Sequence, residues 1–161
     1  MRNIIYTIGI FLTFSCNTNL FDNDLKKILG NPDISYSKEN SISEFAGFGE
    51  GYTIEIYILP KNYLKRFDKR PYKLPPKKGW KTKGWSKTTI DSSYNEIIYM
   101  VLNYKGNARI SSFIKDIKEI LNKKDTYYAF YYKPDKTTPT HVNFFVLDME
   151  KQKLYAIDVV Y

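Results

Sequence analysis

The sequence predicts one α+β domain: an antiparallel sheet of about four strands with two main helices packed on one face. Three observations carry this. Residues 52–59 and three stretches in the last third alternate with a period of two and are rich in β-branched and aromatic side chains. Residues 93–105 and 108–123 carry apolar side chains at helical spacing. The three late strands are joined by short connections, which favour antiparallel neighbours and a meander.

Taken in order, the chain opens on a leader. Arg2 is positive, Ile4 to Phe14 is an uncharged and mostly apolar run, Ser15 is small, and Cys16 is the only cysteine. A secretory signal needs a positive start, an apolar run of about 7–15 residues and a small residue before the cut. The stretch Thr13-Phe14-Ser15-Cys16 resembles the lipobox of a bacterial lipoprotein signal. The resemblance implies that the Cys16 thiol carries diacylglycerol, that residues 1–15 are removed, and that the new amino terminus is acylated. It also implies a lipid-anchored envelope protein, on the periplasmic side of the inner or outer membrane or at the cell surface. Two or more acyl chains anchor a protein stably where one does so only marginally. An uncleaved membrane span would need about 20 apolar residues, and the run stops before Asn17, Thr18 and Asn19. A buried core segment is disfavoured because the run has no amphipathic period.

Residues 16–24 read as a polar tether, and residues 25–161 as the domain. With one cysteine no intrachain disulfide forms, so packing alone must hold the fold. Hydrophobic residues at 43% and aromatic ones at 17% argue against disorder.

Leu25–Leu29 reads as a helical turn or two, capped by Asp22 or Asn23 and stopped by Gly30 with Asn31-Pro32. Ile34 to Phe45 reads as mostly irregular, with a short strand near 34–36. Gly47-Phe48-Gly49-Glu50-Gly51 is a tight turn. A phosphate loop would need a strand before it and a helix after it, and here a strand follows. In that strand Tyr52, Ile54, Ile56 and Ile58 face inward, leaving Thr53, Glu55, Tyr57 and Leu59 on the wet side. Pro60 suits a helix start, with Tyr63, Leu64 and Phe67 as its buried face.

Asp68 to Thr89 has no periodicity and contains five Pro or Gly breakers, so it reads as one long loop. Ser93 with Glu96 resembles a capping box for the first main helix, whose stripe is Tyr94, Ile97, Ile98, Val101 and Leu102. The second buries Ile110, Phe113, Ile114, Ile117, Ile120 and Leu121. The late strands are Thr126–Lys133, His141–Asp148 and Leu154–Tyr161.

Net charge is +8, yet residues 61–87 hold eleven basic residues against one acid, Asp68, which leaves −2 for the remainder. Basicity is therefore local. Within it, Lys78-Gly79-Trp80 and Lys83-Gly84-Trp85 repeat, flanked by Tyr72, Lys77, Lys81 and Lys87. Lysines interleaved with aromatic rings can attract an anion and stack on its flat parts. Behind a lipoprotein leader, nucleic acid is disfavoured and an anionic lipid headgroup or glycolipid is the better partner. The plain alternative is that the Trp rings cover the core edge while the lysines stay wet.

His141 is the only histidine, and no second histidine or free cysteine completes a metal set, so no metal or cofactor is expected. No nucleophile elbow accompanies it. Asp148 and Asp158 flank the last hairpin, and paired carboxylates can hydrolyse glycosides when suitably separated. Strand-end solvation and turn formation account more simply for Asp148. The sequence thus reads as a non-catalytic, membrane-anchored binding protein, with a protein partner as the first expectation. Small envelope inhibitors and toxin-immunity lipoproteins are the analogy in size and address alone. Headgroup binding through residues 72–87 is the alternative, and a hydrolase using His141 or the late aspartates is the second.

Overall fold

The computed structural model describes residues 21–136 and 138–161; the leader and the lipidation expected at Cys16 lie outside the described residues. Its elements run α1 (Asp22–Ile28), β1 (Ser37–Phe45), β2 (Gly51–Ile58), α2 (Lys61–Lys69), β3 (Lys81–Lys87), α3 (Asn95–Leu102), α4 (Ala108–Leu121), β4 (Thr126–Lys133), β5 (His141–Asp148) and β6 (Lys153–Val160). The α+β class holds, but the sheet has six strands rather than about four, in the order β1-β2-β6-β5-β4-β3. Every neighbouring pair is antiparallel, and β4-β5-β6 form the expected meander.

The two extra strands are both edges. β1 replaces the irregular segment expected over 34–45, and β3 lies inside the expected long loop. Each is polar, as edge strands are when lysine and glutamate guard an unpaired row of backbone groups. A polar edge strand carries little apolar alternation, so its period is faint in the sequence. β3 also slips register against β4 between Lys83 and Ser86, around Gly84.

Helices cover both faces of the sheet, not one. On the first face α1 and α2 pack Leu25, Ile28, Tyr63, Leu64 and Phe67 onto Tyr57, Tyr127, Ala129, Phe145 and Leu147. On the second, α3 and α4 pack Ile97, Val101, Ile110, Ile114 and Ile117 onto Ile54, Ile56, Phe130, Phe144 and Ile157. The supposed wet side of β2 is therefore interior: Glu55 is 0% exposed and Tyr57 is buried with it. A central strand covered on both faces loses the polar half of its alternation.

Smaller differences follow local chemistry. Asp91, not Ser93, caps the turn before α3: its carboxylate accepts from the Ser93 backbone N–H at 2.9 Å and from the Ser93 hydroxyl at 2.8 Å. α3 stops at Leu102, short of Lys105. α4 starts where expected, because Asn107 accepts from the backbone N–H groups of Arg109 and Ile110. α1 starts at Asp22 and takes in the end of the expected tether, with Phe21 already buried. The glycine-rich run is a single 3-10 turn joining β1 to β2.

Candidate functional site

The first face carries a cavity of about 350 Å³ between α1, the segment 75–77 and the ends of β4, β5 and β6. Its walls are built by fastening α1 at both ends. At the start of α1, the buried Glu55 carboxylate accepts from the Phe21 backbone N–H at 3.3 Å, from the Tyr57 hydroxyl at 2.6 Å and from Lys38 at 2.9 Å. At the other end, the helix leaves carbonyls without partners inside the helix. Trp85 donates its indole N–H to Ile28 at 3.2 Å, and Tyr63 its hydroxyl to Leu29 at 2.8 Å. Burial pushes the Tyr63 phenol well up, so it stays a donor.

The opposite wall is the chain between α2 and β3. Tyr131 donates its hydroxyl to the Pro75 carbonyl at 2.8 Å, and burial pushes that phenol up to about 12. Gly30 has φ +64, and a Cβ there would sit 2.3 Å from the Tyr72 ring. A side chain at Gly30 would therefore displace the loop as well as strain the backbone.

The cavity is partly apolar, through Phe21, Ile28, Pro75, Pro76 and Phe145, and ends in a polar chain. Lys77 donates to Asn143 Oδ1 at 2.7 Å, the Asn143 amide donates in turn to Asp158, and His141 Nε2 donates to the same Asp158 oxygen at 2.6 Å. Lys77 Nζ lies 3.6 Å over the Trp80 ring, whose edge packs on His141 with centroids 4.5 Å apart. Desolvation lowers the Lys77 ammonium, while the Asp158 and Asp24 charges act to raise it. Asp24 and Lys27 stand at the rim. The site thus presents two lysines, a histidine and two carboxylates around an apolar floor. That set suits recognition of a group bearing both a donor and an acceptor.

The residues singled out in the sequence do not gather on one surface. Lys77 lines this cavity, with Trp80 packed against it. Trp85 is a core residue, edge-on to Phe67 at 5.3 Å. Tyr72 packs near Phe67 and lies 38% exposed. Lys83 sits over the Tyr94 ring at 5.4 Å, against the second face, and Lys87 pairs with Asp68 at 3.1 Å and Asp125 at 3.5 Å. Lys78 and Lys81 are exposed. The two Lys-Gly-Trp units are therefore not equivalent: one Trp packs on Lys77 and His141 of the cavity lining, and the other holds α1.

Asn143 was not legible as a site residue. Its signal is a polar side chain inside an otherwise apolar strand, at the register position opposite Asp158. Asp148 is fully buried rather than solvated, although the expected turn forms, with Asp148 accepting from the Lys151 N–H at 2.9 Å. Asp148 and Asp158 do not converge. Their register partners, Lys153 and Asn143, put them at opposite ends of the hairpin. Five residues of strand separate them by about 17 Å, beyond the roughly 5–9.5 Å of glycosidase pairs.

Among the described residues, no group of three or more His, Cys, Asp or Glu side chains could hold a metal ion, and no helix is long and apolar enough to cross a membrane. No protein-family model, curated protein or solved structure matches this chain.

Proposed function

We propose that this chain is a lipid-anchored protein of the bacterial cell envelope that binds a partner protein without catalysing a reaction, and that the contact is made in the cavity over Lys77, Asn143, His141 and Asp158. The observation that carries this reading is the convergence of those four polar side chains at one end of a partly apolar cavity. A cavity of about 350 Å³ is at the small end of ligand pockets, and suits the tip of an inserted loop or a chain terminus. The anchoring half rests on the lipobox resemblance at Cys16. Five residues from Cys16 to Phe21 span at most about 17 Å, which would hold the α1 side of the cavity close to the lipid surface.

The experiment is site-directed photo-crosslinking in cells that carry the full chain. A photoreactive residue at Pro76, on the cavity rim, is expected to give a protein adduct of one defined mass. The same residue at Lys115, exposed on α4 against the second face, is expected to give none. Absence of an adduct at Pro76, or equal adducts at both positions, would overturn the reading.

One observation favours a second reading. The His141–Asp158 pair inside a cavity is the arrangement a hydrolase would use to orient a base. Its Nε2 faces Asp158, and the side chain bonded to it among the described residues is that carboxylate rather than a nucleophile. This geometry supports binding more directly than proton transfer.

A further inference from the structure

We infer that a second site, a groove of about 380 Å³ lined by Arg66, Arg70, Pro71, Tyr72 and Lys73, binds a phosphate ester. It shares no residue with the cavity above, so the two readings stand or fall separately.

The groove forms where α2 ends. Arg66 stands in the last turn of α2, Arg70 is the residue that ends it, and both line the groove. Beyond the helix end, Pro71, Tyr72 and Lys73 complete the lining. The three basic side chains are exposed, and none of them makes an ion pair with another described residue. The nearest acid in sequence does not compensate them. Asp68 is turned to the β3–β4 side, where it accepts from the Tyr127 hydroxyl at 2.7 Å and pairs with Lys87 at 3.1 Å. Those two contacts hold its carboxyl below the usual range, so it stays ionised and stays there.

Three convergent cations with no carboxylate among them match a dianion better than a single carboxylate. Two guanidinium forks present paired N–H donors at the spacing of phosphate oxygens, which a lysine cluster does not. The Tyr72 ring supplies a flat wall for the carbon part of an ester. The shared chemistry is a phosphate monoester, and its source is either a lipid headgroup or a soluble ester.

The test uses the full chain in a neutral maltoside detergent, read by phosphorus NMR. Inorganic phosphate is titrated in the aqueous phase, and phosphatidic acid is doped into the micelles in a parallel series. Saturable broadening of both resonances assigns the site to phosphate esters in general; broadening of phosphatidic acid alone assigns it to a headgroup. In either case the Arg66→Gln/Arg70→Gln chain should bind at least about tenfold more weakly, a loss of about 1.4 kcal/mol. Lys61→Gln/Lys65→Gln removes the same charge from the same helix outside the groove, and should change affinity by less than about twofold, as expected for diffuse surface charge. Neither probe binding, or equal losses in the two variants, would overturn the inference.

Discussion

His141 donates from Nε2 to Asp158 Oδ1 across 2.6 Å, and Asn143 donates to the same oxygen, so one carboxylate of β6 holds two side chains of β5. Asp158→Ala leaves both donors without that acceptor. A lost acceptor in a buried setting costs about 1–3 kcal/mol. The His141 and Asp158 side chains are 27% and 14% exposed, so water reaches the pair and the loss should lie near the lower end. Urea denaturation with an unchanged slope would report it. A midpoint identical to that of the parent chain would show that water replaces Asp158 at no cost.

The two tryptophans should separate sharply. Trp85→Ala removes a buried ring from the contact with Phe67 and frees the Ile28 carbonyl, and large-to-small changes of this kind cost about 3–5 kcal/mol. Trp80→Ala empties one side of the Lys77 and His141 packing at the half-buried cavity edge, and should cost less than about 2 kcal/mol. Equal losses would contradict the division between a core Trp and a cavity Trp.

Lys38→Ala strips a charged partner from a fully buried Glu55, whose other partners among the described residues include the Tyr57 hydroxyl and the Phe21 N–H. Breaking a buried pair costs about 3–5 kcal/mol when one charge is left behind. These hydrogen bonds persist, so a loss at the lower end, about 3 kcal/mol, is expected. Because Glu55 fixes Phe21, hydrogen exchange in α1 should accelerate more than in α4. Uniform acceleration would show that Glu55 does not act through α1.

Alkaline pH should unfold the chain before its interior tyrosines ionise. Burial pushes Tyr127, Tyr131 and Tyr155 up to about 12 from the ordinary 10, and raises Tyr52 and Tyr63 as well. These phenols are protonated in both states below pH 10. Above it the unfolded chain releases protons first, so stability falls between pH 10 and about 12. Tyrosinate absorbance should rise in two stages, the second coinciding with loss of circular dichroism. A single transition near pH 10 with the fold intact would contradict the burial.

Cys16→Ala should abolish fatty-acid labelling and release the chain from membranes. A variant that remains labelled would remove the lipobox reading.

How much of this was legible in the sequence depends on which side chains carry a period. The meander was readable because β4, β5 and β6 are dense in Tyr, Phe, Val, Leu and Ile. The second covered face was also written there, since Tyr127, Ala129 and Tyr131 are as apolar as Tyr128 and Phe130; two apolar faces call for two helical layers. β1 and β3 were hidden because edge strands replace apolar side chains with lysine, glutamate and serine. The cavity could not be read from the chain order. It brings together Lys77 on a loop, Asn143 and His141 on β5, and Asp158 on β6, and only strand register makes them neighbours. The Lys-Gly-Trp repeat suggested a single surface, but a register slip and the fold of the loop send its two Trp rings to different jobs.

The cavity as the binding site is tested most directly by the yield of the Pro76 photo-adduct when the polar chain is cut at its loop end. In Lys77→Ala the Asn143 carbonyl loses its donor and the Trp80 ring loses its cation, with the backbone untouched. Adduct yield is expected to fall at least about tenfold, the loss that follows from removing about 1.4 kcal/mol of binding. An undiminished adduct in a folded Lys77→Ala chain would contradict it.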